Sequence, residues 1–384
     1  MAKKWKTAKR GFRQALRAFT LSVGVTALGM VATAGLLGLT EPEARQAAAF
    51  QPQQAAAEAP AAAAKAEPGP NQVVPLGQAF GIKLFTDGVI VASLSDIYSA
   101  SGVCCPASEA GLRPGDYLLE ADGMEIQSNA ALAAYIGRSQ GQEIRLKVRR
   151  EDEEFEAVVK PVFGDGAFKT GMWVRDSAAG VGTLTFYDPA SGTFAGLGHG
   201  ICDADVGSLM PLKTGEPARI TLCGVVKGIP DSPGQLRGYF TSDEPMGDLL
   251  ANNETGVYGT LTEAPAGEAV QVLGRNQVKT GPVEILASID GSGPQRYSAR
   301  IEKRNGTDQP TKNLVIKVTD PRLLEATGGI VQGMSGAPIL QDGKLAGAVT
   351  HVFTDDPARG YGIFAQTMLE QSRAIASQAE LNAA

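Results

Sequence analysis

Forty-seven glycines break this 384-residue chain into short apolar runs, and a backbone interrupted so often has many places to turn and little room for long helices. Aromatic residues make up only 6% of the chain, so the combination predicts a mainly β architecture. From position 71 onward, short strands are expected at 81–84, 88–94, 117–121, 143–148 and 154–159, with a tight turn at Asp122-Gly123 and one helix near 129–137. From about position 164 further strands are expected at 182–187, 194–198, 282–289, 297–302, 314–318, 346–352 and 361–365, and an amphipathic stretch over 367–381 closes the chain as a helix. Short strands at such regular intervals fit barrels or a sandwich, and two closed six-stranded barrels suit this length.

The first seventeen residues carry seven of the 35 basic residues and no acid, and positions 18–40 then run without a charge. At roughly 1.5 Å per helical residue this run crosses the roughly 30 Å of a bilayer core, with the positive flank holding the N-terminus in the cytoplasm. A transmembrane anchor over 18–40, with the bulk of the chain exported, is therefore expected. The competing reading is a cleaved signal peptide, because Ala32, Thr33 and Ala34 satisfy the small-x-small cleavage pattern. Residues 41–70 hold thirteen Ala and five Pro and read as a spacer. Beyond the basic segment, 28 Lys and Arg face 41 Asp and Glu. An exported surface of that sign repels phosphate backbones, which argues against nucleic acid as a partner.

Four cysteines are too few for a disulfide scaffold. Cys104 and Cys105 read as small apolar residues or free thiols, whereas Cys202 and Cys223 are a possible pair whose approach the sequence does not reveal. His199, Cys202, Asp203 and Cys223 also supply donors for zinc, although the spacing matches structural zinc sites poorly. Nothing in the chain calls for another cofactor.

Residues 108–126, which include Gly111, Leu112, Gly115, Asp116 and Gly123, resemble the most recognisable stretch of a PDZ domain. The resemblance implies a PDZ unit over 71–162 that accepts a peptide ligand as an added strand, its carboxylate held by backbone N–H groups. The matching loop is Gly77, Gln78, Ala79, Phe80, Gly81 and Ile82. Its glycines can equally do no more than turn the chain between strands.

Ser335 stands next to Gly336 and two residues after Gly333, in a run where a backbone can turn sharply and present a hydroxyl beside its own peptide N–H groups. Such a hydroxyl needs a base, and the chain has two histidines. His199 follows an expected strand into a glycine-flanked turn a domain-scale distance upstream, while His351 stands only sixteen residues after Ser335 and is expected to line the cleft. The stretch 333–351 is similar to the nucleophile region of chymotrypsin-like proteases, which implies an oxyanion hole at the amides of Gly333 and Ser335, with Thr350 and His351 flanking the substrate. Ala337 stands where many relatives carry glycine. The acid that orients the base is open between Asp320 and Asp243 or Asp248, and local chemistry also reads Asp320 as the cap of a helical turn begun by Pro321.

Residues 182–189, 197–199, 319–336 and 348–353, in an order of anchor, PDZ unit and protease, resemble the stage IV sporulation protein B family of signalling peptidases. The resemblance places the catalytic groups on His199, Asp320 and Ser335 within a peptidase unit at 163–384. It implies a serine endopeptidase made in the forespore and anchored facing the intermembrane space. Such a protein cleaves itself, is released, and cuts the regulatory subunit that restrains an intramembrane metalloprotease, so that a mother-cell sigma factor is activated. The rival reading is a non-catalytic scaffold whose PDZ unit tethers a partner beside a dead protease.

Overall fold

A computed structural model describes residues 69–306 and 308–383. The expected anchor and all but the last two residues of the spacer lie outside the described residues. Among those described, no helix is long and apolar enough to cross a membrane.

The fold is mainly β and is built around two long antiparallel strands, β2 (Ala79–Leu94) and β6 (Met172–Asp188), paired from Met172 with Leu94 to Thr183 with Ala79. One end of this ribbon belongs to the PDZ unit. There β2 pairs with β3 (Tyr117–Ala121), which pairs with β4 (Ile144–Arg150), which pairs with β5 (Glu153–Val159). Helix α1 (Asn129–Arg138) begins at Ser128, whose hydroxyl accepts the Ala131 N–H, and sends Leu132 and Ile136 into a core shared with Leu118, Ile144 and Val148. Buried Asp116 is held there by two bonds from Arg150.

The other end of the ribbon belongs to the peptidase. β6 continues through β7 (Thr193–Gly196) to β11 (Gly256–Leu261) and β10 (Gly247–Asn253), while β2 pairs on its far side with β8 (Leu212–Val226). β8 also pairs with β9 (Gln235–Pro245) and packs beside β10, so the sheet curls round on itself. Phe80, Leu184, Phe194 and Val257 fill the curl.

A separate barrel closes in the order β12 (Gly281–Ala287), β13 (Gln295–Arg304), β14 (Leu314–Val318), β17 (Arg359–Phe364), β16 (Lys344–Val352) and β15 (Pro338–Gln341). Alternate residues of its strands, among them Ile285, Ile301, Ile316, Ile339 and Val349, meet inside. Helix α2 (Pro321–Thr327) lies between β14 and β15. The last helix, α3 (Ala365–Ala383), lies against both halves, and its Arg373 reaches the fully buried Asp188 at the end of β6.

Two expectations are corrected. Only one of the two barrels closes through strand pairing; the other half is a curled sheet whose strands β8 and β10 lie side by side without a hydrogen-bonded ladder between them. Residues 72–85, expected with the PDZ unit, pair instead with peptidase strands: β1 (Gln72–Pro75) with the far end of β6, and the first half of β2 with β6 and β8.

Candidate active site

Ser335 lies in the turn between α2 and β15, with Gly333 and Gly336 at φ values of 99° and 94°. At Gly336 a Cβ would fall 2.0 Å from the Thr183 carbonyl oxygen and 2.5 Å from the Leu197 nitrogen, so only glycine fits. Three bonds from β6 brace this turn. The Thr183 N–H donates to the Ser335 carbonyl at 2.9 Å, the Thr183 hydroxyl to the Gly333 carbonyl at 2.8 Å, and the Thr185 hydroxyl to the Gly336 carbonyl at 2.8 Å.

The Gln332 carbonyl accepts the Leu236 N–H at 2.8 Å. In a trans peptide the following N–H points the opposite way, so the Gly333 amide faces away from β9. Among the described residues neither this amide nor that of Ser335 has a protein acceptor. Two free N–H groups beside a hydroxyl are the donors that a tetrahedral oxyanion requires.

His199 is reached from β7 through Leu197 and Gly198, at φ values of 65° and 71°. A leucine in the left-handed region is a genuine outlier, at a cost on the order of 1 kcal/mol. Its side chain is buried with Phe80 and Leu184, which offsets the strain. A Cβ on Gly198 would come within 3.0 Å of the Thr350 side chain, so the chain entering His199 lies directly on the strand end that holds Thr350. The His199 Nδ1 is 2.9 Å from the Gly200 carbonyl oxygen. A carbonyl can only accept, so Nδ1 carries the proton and Nε2 keeps the lone pair of a base. Burial lowers the His199 pKa below its usual value, partly opposed by the Gly200 bond.

The His351 ring centroid is 5.0 Å from that of His199, and its buried Nδ1 has no hydrogen-bond partner among the described residues. Burial, then the neighbouring His199 and Lys312 charges, lower its pKa to about 4, so it is neutral near pH 7. Ser335, Gly333, His199, Thr350 and His351 all line one cleft of about 1330 Å³. Ser335 and His199 share no hydrogen bond, because the serine Oγ donates to the Thr350 carbonyl at 2.8 Å. In ligand-free sites catalytic hydrogen bonds are often unformed, and a rotation of the serine side chain frees this hydroxyl.

Asp320 is not brought to either histidine. One of its oxygens accepts the Arg322 N–H and Nε, the other the Ser298 N–H and an Arg322 Nη. The Arg322 bonds, against the opposing effect of burial, hold its pKa at about 2. The residue caps α2 ahead of the nucleophile turn, and its acceptor positions are filled there. Of the alternatives, Asp248 is exposed on β10 and Asp243 falls within β9.

The expected carboxylate-binding loop is also corrected. The Gly77 N–H donates to Leu184, the Gln78 carbonyl accepts from Leu184, and Ala79, Phe80, Gly81 and Ile82 are paired in β2, with Phe80 fully buried. Strand pairing has consumed the N–H row that a carboxylate would need. All four cysteines are free, and among the described residues no three His, Cys, Asp or Glu side chains gather into a metal-binding group.

Sequence reasoning passed over Thr183 and Thr185, the braces of the nucleophile turn; a signal lay in the alternation Thr183-Leu184-Thr185-Phe186, which sets two hydroxyls at every second place of a strand. It also passed over Arg175, which spans from β6 to Asp203 and Asp205 in the loop after His199.

A family model described as SpoIVB peptidase S55 matches residues 166–369, and a PDZ domain model matches residues 100–150. A search of curated proteins gives no match. Among solved structures, the chain is similar to the inactive form of the Rv3671c protease from M. tuberculosis, at 17% identity and a TM-score of 0.30 over 51% of this chain and 84% of that one. It is also similar to the HtrA-type protease AlgW with decapeptide, at 11% identity and a TM-score of 0.33 over 79% and 65%.

Proposed function

This chain belongs to the SpoIVB peptidase S55 family and is a serine peptidase with a PDZ domain; from that premise we propose that it is a sporulation signalling endopeptidase, with Ser335 as nucleophile and His199 as general base. The observation that carries the chemistry is the placement of the Ser335 hydroxyl and two unpaired amides in the cleft that His199 lines.

In the proposed reaction the Ser335 Oγ leaves the Thr350 carbonyl and gives its proton to His199 Nε2 as it attacks the substrate carbonyl. The Gly333 and Ser335 amides receive the developing oxyanion. His199 then returns the proton to the leaving amine, and water, deprotonated by the same nitrogen, releases the acyl group. The Gly200 carbonyl holds the imidazole in the competent tautomer. Asp320 acts through α2, by fixing the start of the helix that leads into the nucleophile turn.

The substrates proposed are the chain itself and the regulatory subunit of a membrane-embedded metalloprotease complex, whose cleavage leads to activation of a mother-cell sigma factor. The segment 18–40 would anchor the chain in the forespore membrane, facing the intermembrane space until self-cleavage releases it. Support comes from the family and from the charge-free segment behind a basic flank. Co-expression with that regulatory subunit is expected to yield a cleaved subunit and a shortened chain, both absent with Ser335→Ala. Intact folded protein that resists fluorophosphonate labelling and leaves the subunit whole would instead establish the scaffold reading.

A further inference from the structure

One edge of β6 is taken by β2; the other is open from Met172 to Val181. The Leu184 N–H bonds Gln78 on the β2 side, so by strand alternation Ser177, Ala179 and Val181 direct their N–H and C=O groups to the opposite edge. Thr183, in the same phase, meets the Ser335 carbonyl there. At the other end the Gly171 carbonyl accepts the Ser95 N–H on the β2 side, which turns Met172 outward. Val174 faces Val91, whose own N–H and C=O are engaged by Asp116 and Gly115, so Val174 is turned outward as well. Among the described residues no protein group pairs with this outward row.

The two ends of the open edge meet different machinery. Residues 177–181 line the cleft of Ser335 and His199, and so does Asp203, 3% exposed, whose Oδ2 is met only by the Arg175 guanidinium at 3.5 Å among the described residues. Met172 and Val174 lie against the PDZ core that holds Leu132 and Ile136 of α1, and the first N–H of α1, at Asn129, donates to the Asp176 carboxylate. A strand edge with unpaired backbone groups is a template for an added strand.

We propose that this edge is a substrate track: the segment of a protein substrate C-terminal to the scissile bond adds to β6 as an antiparallel strand, running from Ser335 to α1, with its C-terminal carboxylate at the start of β6 in the PDZ unit. The direction follows from the PDZ end, since such units take chain ends as added strands. The span from Val181 to Met172 is roughly 30 Å at about 3.3 Å per residue, so the peptidase measures off about ten residues between the bond it cuts and the substrate's free end. The track is specific for extended, terminal segments and excludes helices and internal loops. This inference rests on Ser335 as the nucleophile.

The test uses the full chain and a synthetic peptide library with randomised residues, lengths of about 12 to 30 residues and free C-terminal carboxylates, with cut positions read by mass spectrometry. Cuts are expected to cluster about ten residues from the C-terminus whatever the total length. For the best-cut peptide, amidation of the C-terminus is expected to lower kcat/KM at least about tenfold, mainly through KM. N-methylation along the downstream segment is expected to weaken cleavage at alternate residues, with one change of phase where the outward row of β6 passes from Val174 to Ser177. Cuts scattered without regard to the chain end, indifference to amidation, or a flat N-methyl profile would overturn the track. Absence of both cleavage and fluorophosphonate labelling at Ser335 would overturn the nucleophile on which it rests.

Discussion

The two halves of the peptidase hold their catalytic groups in different ways. Ser335 enters a barrel that closes on itself, and its turn is fixed by buried glycine geometry and by two threonines. His199 leaves a curled sheet whose central strands continue into the PDZ unit, and the loop after it is held from that side. Arg175 pairs with Asp203 and Asp205, and the Tyr117 hydroxyl reaches the Leu209 carbonyl at 3.4 Å. The contrast teaches that events at the PDZ unit can reach the base more readily than the nucleophile.

The sharpest break of this contrast is Ser335→Ala, expected to lower kcat at least about 10⁴-fold in peptide hydrolysis while leaving the melting temperature nearly unchanged. Next is Arg373→Ala, which removes the ion-pair partner of the fully buried Asp188 and loosens α3 from the curled sheet. Urea denaturation is expected to show a loss of about 3 kcal/mol, at the lower end for a broken buried pair because Ala190 and Ser191 still bond the carboxylate.

Asp320→Ala is expected to cost about 1–2 kcal/mol in stability through the lost cap, with kcat reduced less than about tenfold. A loss on the scale of Ser335→Ala would make Asp320 the partner of the imidazole after all. Its pH signature has a definite sign. The folded carboxyl titrates at about 2 and the unfolded one near 3.9, so the unfolded state binds more protons between these values. The stability that Asp320 contributes is therefore present above about pH 3.9 and lost as pH falls through about 2, and acid unfolding of the variant is expected to be correspondingly flatter.

Smaller still is Arg175→Ala, which spares the barrel and frees the His199 loop. A few-fold fall in kcat/KM is expected, with Ser335 still labelled by fluorophosphonate at a near wild-type extent. The subtlest effect is on the acid limb of kcat/KM. Because burial lowers the His199 pKa, half-maximal kcat/KM is expected below the ordinary histidine value of about 6.5. A limb above that value would mean that the working imidazole is stabilised as a cation by some partner.

Local features were legible in the sequence where turn chemistry fixes them. The strands Tyr117–Ala121 and Leu314–Val318 run as expected to the residue. Asp122-Gly123 adopts the paired positive φ values that such dipeptides favour. Asp320 caps the helix that Pro321 begins, one of the two roles its neighbours allow. The long strands were not legible. Positions 85–87 read as a break between two short strands, yet β2 runs on through them, with Gly88 at φ 77° against the Leu118 carbonyl. What holds that line is pairing with β6, nearly ninety positions away, and no local signal encodes it. The same distance hid the fate of Gly77 to Ile82, whose glycine spacing suits an anion loop as well as it suits a strand.

Because β2 and β6 are each a single strand shared by both units, the PDZ unit is not a bead on a string. Deleting one residue from either strand at the junction would turn every side chain beyond it to the opposite face. Grafting a foreign recognition unit therefore demands matched strand register at two crossings, and homologues with altered ligand preference should differ by substitution inside this unit rather than by exchange of it.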